Sequence, residues 1–235
     1  MAYTYYSGGG RGGFLSSLPP VTKNLIIINV ILFLATCLNK SLMIGSFALF
    51  YPTSPYFRWW QVVTHMFMHG GFWHIFFNMY TLMIFGSVVE RIIGSRKFLL
   101  FYFICGLGAV ALHLGVEWLQ MQSYLEGAAL GNSVALSRIA EIKTTPTVGA
   151  SGAIYGVLIG YAMLFPDSRM TLLFPPVTLS AKGMVIVFAA IELFTGVTGI
   201  AGGIAHFAHL GGMLIGWLLI LWWRRRGILF EPDKF

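Results

Sequence analysis

The chain has 235 residues, 57% of them hydrophobic and 10% charged, with a mean hydropathy of +0.77. A soluble domain of this length needs far more surface charge, so the composition excludes one and describes an all-α polytopic membrane protein. The net charge of +7 does not call for a nucleic-acid partner, because the basic residues flank apolar runs as cytoplasmic anchoring charge does.

Residues 1–20 form a Gly/Ser/Tyr/Pro tail that includes Gly8-Gly-Gly-Arg-Gly-Gly13 and ends at Pro19-Pro20; it reads as a flexible cytoplasmic tail. No short apolar core with a small-residue cleavage site precedes the first span, so no cleaved signal peptide is expected. Six spans follow, at about 22–39, 71–89, 98–119, 148–165, 183–200 and 204–223, each near the ~20 residues that cross the hydrocarbon core. All must be helical, since open backbone facing lipid would leave polar groups unpaired. Residues 21–223 are therefore expected as one six-helix membrane domain, followed by a basic cytoplasmic tail at 224–235. The segment 40–70, with Trp59-Trp60 and Met66-Phe-Met68 broken by Pro52 and Pro55, is too apolar for water and too interrupted to span. It is expected to lie in the interface. The stretch 120–147 reads as a solvated connection. Cys37 and Cys105 both fall in apolar runs, which implies no disulfide framework.

With the N-terminus inside, the cytoplasmic segments carry Arg11, Lys23, Arg91, Arg96, Lys97, Arg169, Lys182, Arg224, Arg225, Arg226 and Lys234. The external segments carry Lys40, Arg58, Arg138 and Lys143. This imbalance favours both termini in the cytoplasm of a cell (plasma or inner) membrane. Spans two, four and six then run from outside to inside, so His74, Asn78, Ser151 and His206 lie near the outer ends of their helices.

A serine and a histidine at one depth are the two parts a serine hydrolase requires. Ser151 opens the fourth span within Gly149-Ala-Ser-Gly152, where free first-turn N–H groups and the helix dipole favour an oxyanion. His206 opens the sixth span within Ala205-His-Phe-Ala-His209 and is expected as the general base. Gly152, Gly156 and Gly160 recur along one face of span four, and Gly212 and Gly216 along one face of span six. Small residues at this spacing let membrane helices approach closely. Tyr155, four residues from Ser151, shares its face and is expected against the His206 ring. His74 and Asn78, also four apart, offer two side-chain donors for the oxyanion. Asp167 lies about 24 Å along the helix from Ser151. Glu192 lies in the outer half of span five with nothing to pair it with His206, so a Ser–His dyad is the expectation.

The histidines His65, His69, His74, His206 and His209 also admit a metal or haem reading. No acidic or thiolate co-ligand is expected at that depth, so no metal or cofactor is expected. A catalytically silent relative that binds membrane proteins would be expected to lack the serine or the histidine, and both are present.

Gly149-Ala-Ser-Gly-Ala-Ile-Tyr155, Ala205-His-Phe-Ala-His-Leu-Gly-Gly212, the series His65, His69, His74, Asn78, and Glu90-Arg91-x2-Gly94 together resemble the rhomboid intramembrane serine proteases over roughly residues 55–217. The resemblance implies a six-helix bundle that cleaves transmembrane helices of other membrane proteins near the outer face without a metal. It implies Ser151 as nucleophile, His206 as base, and His74, Asn78 and the Ser151 N–H as oxyanion donors. Substrate entry near span five is likewise implied by the resemblance. Gln61 follows Trp60 where some members carry Arg, which leaves the anchoring of segment 40–70 open. His209 is expected as a packing or network residue, His65 and His69 as structural partners of the interfacial segment, and His113 as a satisfied buried histidine.

Overall fold

The computed structural model describes residues 14–171, 176–199 and 205–230; Gly8–Gly13, Arg11 and Lys234, on which the tail readings partly rest, lie outside the described residues. Helix α1 (Pro20–Leu38) opens on a proline, whose missing N–H is one the first turn cannot use. Helix α2 (Lys40–Phe47) is capped by Asn39, whose side chain accepts from the Leu42 N–H at 3.0 Å. The short turns α3 (Gln61–Thr64) and His65–Phe67 lead into α4 (Phe72–Thr81), which passes through a π-turn at Leu82–Gly86 into α5 (Ser87–Ile93). Then come α6 (Ser95–Ala129), α7 (Ser133–Thr144), α8 (Ser151–Leu164), α9 (Ala181–Thr198) and α10 (Ala205–Arg225). Strands β1 (Arg169–Thr171) and β2 (Thr178–Ser180) pair antiparallel between α8 and α9, a small exception to the all-helical expectation.

Five stretches among the described residues are long and apolar enough to cross a membrane: Pro20–Leu38, Phe72–Ile93, Ser95–Ala129, Ala181–Thr198 and Ala205–Arg225. Helix α8 is a shorter apolar helix of 14 residues. The chain is thus a multi-pass helical bundle, with α8 as the sixth helix. Two expected boundaries need correction. The third span runs over 95–129, and 133–144 is helical too, so 120–147 is a helical hairpin and no plain connection. The physical reason is a satellite core: Met121 and Ile142 bury together with Tyr51. Asn132 caps α7 by accepting from the N–H groups of Val134 and Ala135 at 2.9 and 3.2 Å. The fourth span also starts later than expected. Thr147 is tied in an extended bridge to Leu49, and Gly149 takes φ +128°, so no helix forms before residue 151.

Helices α6, α8 and α10 form the centre. Phe98, Phe101, Tyr102 and Cys105 of α6, Ala153 and Val157 of α8, and Ile220 and Trp223 of α10 belong to one buried cluster. The glycine rows set how close α8 and α10 come. A Cβ at Gly212 would lie 1.8 Å from the Gly152 carbonyl oxygen, and one at Gly216 would lie 3.0 Å from the Gly156 Cα. Gly160 instead accommodates the Phe101 ring of α6, 3.0 Å from its virtual Cβ. Close backbone contact is the way helices associate where burial from water supplies no drive.

Two polar side chains fasten the periphery. Gln61 is fully buried. Its Oε1 accepts from the Arg58 and Phe50 N–H groups at 3.0 and 3.4 Å, and its Nε2 donates to the Tyr56 and Gly45 carbonyls at 3.1 and 3.5 Å. One amide therefore anchors the 40–70 segment. Glu90 accepts from the Val21 and Thr22 N–H groups at 2.9 and 2.7 Å, from Thr22 Oγ1 at 2.8 Å and from Ser95 Oγ at 2.7 Å. It serves as a long-range cap for α1, whose own N-cap, Pro19, makes no side-chain hydrogen bond.

Candidate active site

Ser151 occupies the first turn of α8. The chain is led to it by a pinned strand-like stretch: Thr147 exchanges backbone hydrogen bonds with Leu49 at 2.7 and 2.9 Å, and its Oγ1 lies 2.8 Å from His113 Nε2. The Gly149 N–H then donates to the His65 carbonyl at 3.0 Å. At φ +128° this position favours glycine on backbone grounds. It is also sterically closed, because a Cβ there would lie 2.8 Å from His74 Nε2. The same virtual atom is 3.5 Å from Ser151 Oγ, so His74 and the serine hydroxyl border one space beside Gly149. The structure thus brings His74 close to the serine.

Asn78 is buried one turn further along α4, and its amide nitrogen lies 2.9 Å from His69 Nε2. His69 lies outside the spanning segments; burial, reinforced by the neighbouring His74 ring, pushes its pKa down to about 4. The neutral His69 nitrogen therefore accepts from the Asn78 amide. One of the two Asn78 N–H bonds is engaged in this way, which leaves the other available.

The histidine bonded to the serine is not the expected one. His209 Nε2 lies 2.8 Å from Ser151 Oγ, whereas His206 turns its Nδ1 to Glu192 Oε2 at 2.5 Å. Tyr155 is also redirected. Its ring stacks on His209, with centroids 4.3 Å apart and planes 7° from parallel. The reason is the rotation of α10. The faces of Gly212 and Gly216 meet α8, and at ~100° per residue a position three before Gly212 and seven before Gly216 lies on that stripe. Position 209 meets this condition, and position 206 lies well off it. The glycine spacing was the signal that distinguishes the two histidines.

Glu192 of α9, expected to be unpaired, is at the centre of a network. It is 6% exposed, receives the Tyr155 hydroxyl, bonds His206, and brings Oε1 to 3.0 Å from His209 Nδ1. That last approach is within ion-pair range but out of line for a hydrogen bond. The expectation that no acidic group shares this depth is overturned by Glu192. One donor atom from each of Glu192, His206 and His209 lies within 4.8 Å of the others. They form the group among the described residues that could hold a metal, although His206 already donates to Glu192, which also receives the Tyr155 hydroxyl.

Space for reactants adjoins the serine. A cavity of about 40 Å³ is lined by Ser151, His209, Gly149, His65, His113 and Thr147 among others, which exceeds the ~10–15 Å³ that one water needs. It shares His113, Thr147, Val148 and Ala205 with a larger open cavity of about 590 Å³ between α6, α7 and the α9–α10 end. A serine hydroxyl bonded to an imidazole, with a second ring nearby and room for water beside them, is an arrangement compatible with acyl transfer.

A family model described as the Rhomboid domain matches residues 56–226. The chain is similar to the Rhomboid protease GlpG of Yersinia pestis (strain Pestoides F) and to that of Yersinia pseudotuberculosis serotype O:3, each 25% identical over 209 residues. These matches cover 88% of this chain and 64% of the relative. It is also similar to the Rhomboid protease AarA of Providencia stuartii, 29% identical over 168 residues, covering 68% of this chain and 54% of that protein. The chain thus spans just under two thirds of the GlpG relatives' length and about half of AarA's.

Proposed function

The chain belongs to the rhomboid family, and from that premise we propose that it is an intramembrane serine endopeptidase with Ser151 as nucleophile and His209, in place of the expected His206, as general base. The observation that carries this reading is the 2.8 Å contact between Ser151 Oγ and His209 Nε2. An unassisted serine hydroxyl is a weak nucleophile, and an imidazole at this distance can take its proton as Oγ attacks the scissile carbonyl.

The tetrahedral intermediate places a negative oxygen beside Gly149. Donors for it are the Ser151 backbone N–H at the start of α8, His74, and the Asn78 N–H that His69 leaves free, with the helix dipole adding to all three. His209 then returns its proton to the leaving amine. Water drawn from the adjoining cavities attacks the acyl-enzyme, again with His209 as base.

The substrates are transmembrane helices of other membrane proteins, cut near the outer face of the cell membrane, with both termini of the protease in the cytoplasm. This orientation rests on the distribution of basic residues. No step calls for a metal or cofactor. Incubation of the detergent-purified chain with a single-span helical substrate tests the proposal. Ser151→Ala and His209→Ala should each abolish cleavage, and a fluorophosphonate should label Ser151. Undiminished cleavage by either variant rejects the dyad.

A further inference from the structure

A Ser–His dyad assigns no role to Glu192, yet this carboxylate is buried in an apolar helix, where an uncompensated charge is costly. Each of its contacts leads back to the catalytic ring. Its Oε1 faces His209 Nδ1 at 3.0 Å and receives the Tyr155 hydroxyl, and Tyr155 in turn stacks on His209. Its Oε2 is 2.5 Å from His206 Nδ1. We infer that Glu192 is a positioning residue that makes the Ser151–His209 pair a Ser–His–carboxylate triad, with Tyr155 and His206 fixing the carboxylate; this inference rests on the protease reading above.

The argument concerns where protons sit. For His209 to receive the Ser151 proton, its Nε2 must carry the lone pair and its Nδ1 the hydrogen. A carboxylate facing Nδ1 favours that tautomer, since it can only accept. The same carboxylate faces the positive charge that appears on the ring once the proton has moved from Oγ to Nε2, and it stays ionised throughout. His206 and Tyr155 both act as donors to Glu192. They occupy lone pairs on both of its oxygens, so the carboxylate cannot rotate away from His209. The imidazole is then held at its Nε2 edge by Ser151 and on its face by Tyr155, with the Glu192 carboxylate in ion-pair range of its Nδ1 edge. This assignment also gives His206 a place: it supports the third member of the triad and does not act as the base.

The test is steady-state cleavage of a single-span helical substrate by the full chain, with thermal midpoint and fluorophosphonate labelling measured on the same samples. Glu192→Gln should lower kcat on the order of 10²- to 10⁴-fold, with KM and midpoint unchanged. A single amide oxygen cannot serve all three partners, and an amide N–H₂ turned to Nδ1 drives the His209 proton onto Nε2. Glu192→Asp, which keeps the charge, should recover at least about tenfold of that loss. A kcat for Glu192→Gln within about twofold of the parent overturns the inference. So does a loss that Glu192→Asp does not ease and that tracks a lowered midpoint, because that marks a packing role. Ser151→Ala and His209→Ala run in parallel. Cleavage surviving in either rejects the dyad and this inference with it, whereas its loss in both, with Glu192→Gln still active, rejects the triad alone.

Discussion

His209 and Ser151 are joined across the α8–α10 contact by a 2.8 Å hydrogen bond, and His206, three residues earlier on α10, is not part of it. On the proposed mechanism His209→Ala should therefore behave like Ser151→Ala, with kcat down by ~10⁴ or more. His206→Ala, which removes only a support of Glu192, should leave cleavage measurable. Gel-based cleavage of a single-span substrate by the three variants checks the order. Equal inactivity of His206→Ala and His209→Ala would contradict it.

The same helix contact makes a steric prediction. Gly212→Ala puts a methyl where 1.8 Å separates the virtual Cβ from the Gly152 carbonyl oxygen, a backbone atom that cannot step aside. It should cost about 3 kcal/mol or more and abolish fluorophosphonate labelling together with fold. Gly115, in the middle of α6 with nothing within 4 Å, is the control. Gly115→Ala should raise stability by roughly 0.5–1 kcal/mol through helix propensity. Thermal midpoints in detergent measure both.

Glu90 separates stability from catalysis. It accepts four hydrogen bonds, three of them from the first turn of α1, and is remote from Ser151. Glu90→Ala should lower stability by about 3 kcal/mol, because buried donors lose a charged acceptor. Turnover per folded molecule, normalised to fluorophosphonate-labelled protein, should stay near the parent value.

Acid should destabilise the fold through His65 and His69. Burial lowers both His65 and His69, which lie outside the spanning segments, to about 4 from an ordinary 6.5. The folded state therefore binds these protons less readily than the unfolded one. Their contribution is fully present above pH 6.5. It declines as pH falls toward 4, by up to about 1.4 kcal/mol per pH unit for each ring. Replacing His65 with a non-titrating residue should flatten the midpoint-versus-pH curve between these values.

Metal chemistry provides a separate check. On the proposed mechanism a chelator leaves cleavage unchanged. Added zinc, by contrast, competes for the donor atoms of Glu192, His206 and His209 and forces the His209 proton onto Nε2, so it should inhibit reversibly. Inhibition should weaken in His206→Ala, which removes one of the three donors. Zinc titrations of the cleavage rate in both proteins decide this.

The apolar spans, the position of Ser151 at a helix start and the glycine rows were legible in the sequence because each depends on a local pattern: an apolar run, a flanked serine, a four-residue repeat. The base was harder to read. His206 and His209 differ by about 4.5 Å along one helix, and depth alone does not separate them; the rotation of α10 does. Glu192 was not legible, because its partners come from α8 and α10, and nothing within α9 encodes their approach. The α6–α7 hairpin escaped for a related reason. Its polar outer surface suggested a loop, while the buried pair Met121 and Ile142 that folds it finds its partner in Tyr51, far away in sequence.

The brevity of α8 has a consequence for where a substrate is cut. Fourteen residues rise about 21 Å, against a hydrocarbon thickness of about 30 Å. The Leu164 end of the helix is tethered through Arg224 to the Met163 carbonyl at 3.0 Å; on the proposed topology, with that end at the inner boundary, Ser151 lies about 9 Å below the outer one. On the proposed mechanism, that shortfall acts as a depth gauge. A helix standing beside the bundle presents to Ser151 a peptide bond about six residues inside its own apolar stretch. Residues at that depth must be able to leave the helix, so sequence there, more than at the substrate's membrane edge, should decide which proteins are cleaved.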